Sequence, residues 1–199
     1  MSLLYAIKQV KSCTHFREYL PCYMSLEKRR LLVKAFIQSQ FGYCPLIWMF
    51  HSRKLHNRIN RIHERSLRIV YRDNCISFEE LLHKDNSFTI HERNIQYLAI
   101  ELFKVKNDIA PEFMSDIFPL KNKLVYCSKQ DFLTKRVYSV YNGTETLSYL
   151  GPKIWLMIPN EIKASSSLKL FKKRIKVWKP EKCPCRLCKP YVQNVGFIG

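Results

Sequence analysis

Apolar residues in this chain recur mostly at helical spacing. From Ser25, with Glu27 in the first turn, a helix is predicted. Leu31, Leu32, Ala35, Phe36 and Ser39 would form its inner face, with Arg29, Arg30, Lys34 and Gln38 turned away. Lys28 stands where a capping-box acid would be. An aromatic elbow follows, with Phe41, Tyr43, Leu46, Ile47, Trp48, Met49 and Phe50 around Gly42 and Pro45. Pro45 disfavours helical geometry at Cys44, so a bend is predicted there, with the aromatics read as core and not as a base-stacking platform.

The next pattern runs from Arg53 to Tyr71, with Leu55, Ile59, Ile62, Ser66 and Ile69 as an inward stripe. Ser77 begins a short helix through Phe78, Leu81 and Leu82, its first turn carrying Glu79 and Glu80. Thr89 to Lys106 reads as a long helix facing inward with Ile90, Ile95, Leu98, Ala99, Leu102 and Phe103. Phe113, Met114, Ile117 and Phe118 add an apolar turn between Pro111 and Pro119. The period then changes. Val137 to Tyr141 alternates and meets a turn at Asn142-Gly143, and Thr144 to Tyr149 reads either as its hairpin partner or as the cap of another helix. Gly151-Pro152 precedes Ile154, Trp155, Met157 and Ile158. Ser165 to Ser167 caps a last helix from Leu168 to about Trp178, with Leu168, Phe171, Ile175 and Trp178 apolar.

These elements predict a mainly α fold: a helical bundle with a short β-hairpin or irregular segment and a basic, Cys-containing C-terminal tail. The expected divisions are an ill-defined segment over 1–23, a helical domain over 24–118, a second subdomain over 119–178 and the tail over 179–199. At 47% hydrophobic and 13% aromatic over 199 residues, the chain has enough apolar mass for a packed core. Only five glycines occur, which favours helices over turn-rich β folds. No apolar window is long enough for a transmembrane helix, and the N-terminus lacks the features of a signal peptide. The chain is therefore expected to be intracellular, in nucleus or cytoplasm, with reduced cysteines and no membrane partner.

Charge narrows the functional classes. The formal net charge is +18, with a pI near 9.7, which predicts a polyanionic partner. The charge is uneven: residues 77–118 hold eight acids against four bases, whereas residues 169–189 hold nine bases and one acid. Along the Arg53–Tyr71 helix, Arg58, Arg61, Arg65, Arg68 and Arg72 recur at spacings of 3 and 4, offset by one residue from the apolar stripe. Such a row matches the track of a phosphate backbone, with a solvated basic face as the plainer alternative. Lys172, Lys173, Arg174 and Lys176 form a second basic cluster.

Cys183, Cys185 and Cys188 are the one cysteine constellation. A structural zinc site takes four ligands, so this triplet needs a fourth from elsewhere, such as Cys127 or His91; the alternative is an exposed cysteine tail. The six histidines are dispersed, and His56 and His63 are seven apart, read as helix-surface residues. No P-loop, GxGxxG, GxSxG or HExxH occurs, nor any Asp-Asp pair, so no catalytic residue is assigned.

The segments SQFGYCPLIW and NRIHERSLRIVY, the following SFEELLHKDNSFTIHERN, and the later GPKIWLMIPNEIKASSSLKLFKKRIKVWKPEKCPCRLCKPYVQNVGFI carry a resemblance. Over roughly residues 24–198 the chain resembles the part of jockey-like non-LTR retrotransposon reverse transcriptases that lies downstream of the catalytic palm. The resemblance implies a helical thumb that holds an RNA/DNA template–primer, followed by a basic cysteine-bearing tail. The family's palm aspartates and its endonuclease domain are absent from these residues. What is implied is a non-catalytic fragment that binds RNA or DNA backbone and packs against a missing palm, where Phe41, Trp48 and Phe50 would otherwise be exposed. The alternative is a structural or protein-interaction module with no nucleic-acid role.

Overall fold

A computed structural model describes residues 24–121, 131–134, 145–180 and 183–187. The chain is mainly helical, and among the described residues the one β feature is an isolated antiparallel bridge between Leu120 and Phe132. The alternating run at 137–141 and its turn at 142–143 lie outside the described residues.

The helices are α1 (Leu26–Val33), α2 (Ser39–Phe41), α3 (Pro45–Trp48), α4 (Arg53–Tyr71), α5 (Phe78–Asp85), α6 (Ile90–Lys106), α7 (Glu112–Ile117), α8 (Leu147–Met157), α9 (Asn160–Lys163) and α10 (Leu168–Ile175). Local chemistry sets several of their starts. Ser77 and Glu80 form a reciprocal capping box at α5, and Thr89 and Glu92 form another at α6. Ser52 and Ser167 accept from the backbone N–H groups of Leu55 and Leu170. Ser25 precedes α1 as expected but makes no side-chain cap.

The first helical stretch presents a different face from the one its spacing predicts. Residues Lys34–Gln38 form a π-helical turn between α1 and α2. A π turn takes one more residue per turn, which rotates the inner face. Val33, Ile37 and Phe41 are buried, while Leu31 and Phe36 stand largely in solvent. The elbow bends where Pro45 requires it, with Cys44 in the left-handed region at φ 44°. Its apolar content is mostly covered: Phe41 and Met49 are buried and Trp48 and Phe50 are half-buried, so Tyr43 and Ile47 are the exposed members instead.

Two cores result. The smaller joins Val33, Ile37 and Phe41 to Ile59, Ile62 and Val70 of α4 and Ile90 of α6. The larger is built around α6, whose Ile95, Leu98, Ala99, Leu102 and Phe103 meet Met49, Phe118, Phe132, Ile154, Trp155, Phe171, Ile175 and Cys185. Helices α3, α8 and α10 all pack on α6. Asp85 pins α1, α4 and α5 together: it accepts from Arg30 Nε at 2.8 Å and from the Tyr71 hydroxyl at 2.9 Å.

Gly151-Pro152, set in the sequence before Ile154, Trp155, Met157 and Ile158, lies inside α8, which begins after Thr146. Of Thr144–Tyr149, the described residues 145–149 lead into and begin this helix. Gly151 is there because Phe118 leaves no room for a side chain: a Cβ would lie 2.5 Å from Phe118 Cε1, and that ring is fully buried. Gly→Ala inside a helix ordinarily gains up to ~1 kcal/mol. Here overpacking of about 1–3 kcal/mol outweighs it. Gly151→Ala is expected to lower the urea midpoint, and an unchanged or raised midpoint would show that Phe118 can yield.

Candidate nucleic-acid interface and metal centre

Helix α4 carries the predicted arginine row, and its buried face is wider than the stripe read from sequence. Ile59, Ile62, His63, Ser66, Leu67 and Val70 are buried, whereas Ile69 is half-exposed. Ser66, the polar member of the stripe, donates its hydroxyl to the His63 carbonyl at 2.6 Å. With His63, Leu67 and Val70 included, the centre of the buried face shifts. The arginines then lie on average roughly 150° from it, further round than the stripe suggested. Arg61, Arg65 and Arg72 are exposed and Arg58 is half-exposed.

Arg68 differs from its neighbours. Its guanidinium donates to Glu64 Oε1 at 2.6 Å, to the Asn74 carbonyl and to the Ile76 carbonyl. It holds the loop after α4, and Glu64, the one acid within the helix, is spent on it. Arg58, Arg61 and Arg65 have no ion pair among the described residues.

On α10, Lys172, Lys173, Arg174 and Lys176 are exposed, opposite the buried Phe171 and Ile175. Arg174 donates to the Glu161 carbonyl at 2.8 Å and steadies the turn between α9 and α10. Gln96 Nε2 donates to the Trp178 carbonyl at 2.9 Å, so the chain leaving α10 is held against α6. Lys179 lies 3.6 Å from Glu92 on the same path.

That path leads to the cysteines. Cys185 is fully buried and Cys183 half-buried, which overturns the exposed-tail alternative for these two; Cys188 and Cys127 lie outside the described residues. His91, in the first turn of α6, points Nε2 at both thiols, 3.3 Å from Cys185 Sγ and 3.7 Å from Cys183 Sγ. The three donor atoms lie within 4.8 Å of one another and form a group able to hold a metal ion. Of the two distant donors that the sequence offered, the structure brings up His91.

His56, half-buried, and His63, buried, are not helix-surface residues. His56 packs edge-on against His91 with ring centroids 5.6 Å apart, and His51 tilts over His56 at 5.9 Å. Burial lowers the pKa of both, that of His56 to about 4, with the neighbouring imidazoles adding to the effect on His56. His63, on the far side of α4's packed face, is almost wholly buried and accepts from Arg93 at 3.1 Å. Comparison with protein-family models, curated proteins and solved structures finds no match to this chain.

Proposed function

We propose that this chain is a non-catalytic nucleic-acid-binding module, the thumb-and-tail portion of a jockey-like RNA-directed DNA polymerase, acting inside the cell in nucleus or cytoplasm. The observation that carries the reading is the row Arg58, Arg61 and Arg65. It lies on the solvent side of a helix whose other side is core, and it has no carboxylate partner among the described residues. Guanidinium groups repeated about every helical turn suit successive phosphates. The lysines of α10 extend the same sign of charge. Polymerase chemistry would come from a palm on another chain or segment. The exposed Ile47 and Phe113 beside a groove of about 400 Å³ would face that palm.

The metal in this reading is zinc. Tetrahedral zinc with bonds of about 2.3 Å to sulfur and about 2.05 Å to nitrogen sets the N and S ligands roughly 3.5 Å apart. The His91–thiol separations of 3.3 and 3.7 Å bracket that spacing. Zinc would join Cys183 and Cys185 to α6 and contribute folding energy. Cys188 is the third cysteine that the sequence offers for the same ion.

Binding of an RNA/DNA duplex, followed by fluorescence anisotropy over a salt series, tests the function. Affinity is expected to fall steeply with salt. Replacing Arg58, Arg61 and Arg65 together by Gln should reduce the log–log slope by about 2–3 and leave the helical circular-dichroism signal intact. Arg68→Gln alone should change stability more than slope. Salt-independent or absent binding would favour the protein-interaction alternative, and primer extension by this chain alone is expected to be blank.

A further inference from the structure

Arg93, in the first turn of α6, is a mostly buried cation without an anion. Its hydrogen bonds go to neutral groups, Gln38 Oε1 at 3.2 Å and His63 Nε2 at 3.1 Å. Its Nε–H is buried and meets no acceptor. Among the described residues it makes no ion pair. Burial lowers its pKa from the ordinary guanidinium value, against the opposing pull of Tyr97, Asp85 and Glu92. Both of those acids are engaged elsewhere. Asp85 accepts from Arg30 and Tyr71, while Glu92 closes the α6 capping box and faces Lys179. Buried charges are ordinarily paired, so an unpaired guanidinium calls for an anion from outside the chain.

There is room for that anion. A cavity of about 330 Å³ opens among the π turn, the loop from α5 to α6, α6 itself and the end of α10, and Arg93 lines it. Lys34 of the π turn and Lys176 at the end of α10 line it as well. Both lysines are exposed, and neither makes an ion pair among the described residues. Ser87 adds a hydroxyl that is buried without a partner. Among the described residues of the lining Asp85 is the one acid, and Arg30 already answers its charge. Phe88 and Tyr97 contribute aromatic rings. The volume falls at the lower end of small-molecule sites and is more than a bare phosphate fills.

We propose that this cavity binds a small organic phosphate of about mononucleotide size, its phosphate held by Arg93, Lys34 and Lys176 and its organic part lying against Phe88 and Tyr97. The proposal depends on neither the duplex reading nor the metal reading. The α4 row follows phosphates along an open helix face, whereas this cavity takes a single one. Arg93 supplies the planar fork and the lysines supply point charges. The bound ligand would tie the π turn and the end of α10 to α6.

Isothermal titration calorimetry of the full-length protein with adenosine monophosphate, adenosine and inorganic phosphate tests this. Adenosine monophosphate is expected to bind saturably. Adenosine, which lacks the anion, should bind at least about 10-fold more weakly, and inorganic phosphate should also bind more weakly. Lys34→Gln combined with Lys176→Gln changes exposed side chains and should weaken adenosine monophosphate by about 3–10-fold with an unchanged circular-dichroism spectrum. Arg93→Gln should cost at least about 10-fold. An RNA/DNA duplex with hydroxyl ends, added at saturation, should leave adenosine monophosphate bound. No uptake of adenosine monophosphate, or adenosine binding as tightly, would overturn the proposal. Inorganic phosphate binding as tightly would overturn the organic ligand. Displacement by the duplex would overturn the small-molecule assignment, making a backbone phosphate the occupant while duplex binding stands. Arg93 bridges Gln38 and His63, so should Arg93→Gln fail to fold, the lysine pair decides alone, and wild-type affinity in that variant would overturn the site.

Discussion

Trp155→Ala is expected to cost about 3–5 kcal/mol, a large share of the stability of a domain of this size. The residue is 1% exposed and sits where α8, α10 and the Leu120–Phe132 bridge converge. Its indole meets Phe132 edge-on at 5.5 Å and stacks near Phe171 at 6.1 Å, and Phe171 in turn stacks on Phe103 of α6 at 4.2 Å. The indole N–H donates to Asp131 Oδ2 at 2.6 Å, and Lys106 donates to the same oxygen at 2.9 Å. Burial pushes the Asp131 carboxyl up, but the hydrogen bonds from Lys106 and Trp155 outweigh it and hold the pKa below the usual range. Two effects can therefore be separated. Trp155→Phe keeps most of the packing and gives up the hydrogen bond, for about 1–2 kcal/mol. Trp155→Ala gives up both and leaves a cavity between the rings of Phe132 and Phe171. Urea denaturation of the three proteins should rank them wild type, Phe, Ala, with the larger step between Phe and Ala. Equal steps, or the larger step first, would mean that the Asp131 contact and not the ring stack holds this corner.

Much of this corner was legible in the sequence. Leu98, Leu102 and Phe103 fall on a predicted inward face, Phe171 and Ile175 on the apolar positions of a predicted amphipathic helix, and Trp155 in the apolar run after Gly151-Pro152; all are buried. The starts of α5 and α6 were visible because a cap is local chemistry: Ser77 and Thr89 each have a glutamate three residues on. The reading failed where the determinant is not local. In α1, the spacing of Leu31, Leu32, Ala35 and Phe36 is helical, but the π turn at Lys34–Gln38 rotates the contact face to Val33, Ile37 and Phe41. Gly151-Pro152 looks like punctuation, and only the Phe118 ring pressed against Gly151 explains a glycine within a helix. The candidate metal site was half legible. Clustered cysteines announce themselves, whereas His91 comes from a helix more than ninety residues earlier and was one of two distant donors that the sequence offered. The arginine row was visible as spacing, yet the distinction between Arg58, Arg61 and Arg65, which have no ion pair among the described residues, and a structural Arg68 depends on the carbonyls of Asn74 and Ile76 folding back beneath it.

His63 should make the protein acid-sensitive through one identifiable group. It is 1% exposed, between α4 and α6, with Phe78 edge-on at 5.6 Å. Its Nε2 accepts from the Arg93 guanidinium at 3.1 Å, so the neutral ring is the one that fits. A proton on Nε2 would break that bond and set two cations together in the interior. Burial first, and the charge of Arg93 second, lower its pKa from 6.5 to about 3. The sign follows from linkage. Below pH 6.5 the unfolded chain takes up a proton at this position and the native chain does not. Stability is therefore fully present above about pH 6.5 and declines as pH falls towards 3, by roughly 4 kcal/mol over the whole window and roughly 2 kcal/mol by pH 5. His51 and His56 shift in the same direction and steepen the decline, so the comparison has to isolate His63. His63→Gln offers Arg93 a carbonyl acceptor and cannot titrate. It is expected to be less stable than wild type at pH 7.5, because the ring's packing is lost, but to lose about 2 kcal/mol less between pH 7.5 and pH 5. Urea unfolding at the two pH values measures the difference directly. Parallel pH dependences in the two proteins would mean that His63 is protonated in the native state, with Arg93 displaced towards Gln38, its other hydrogen-bond partner at 3.2 Å.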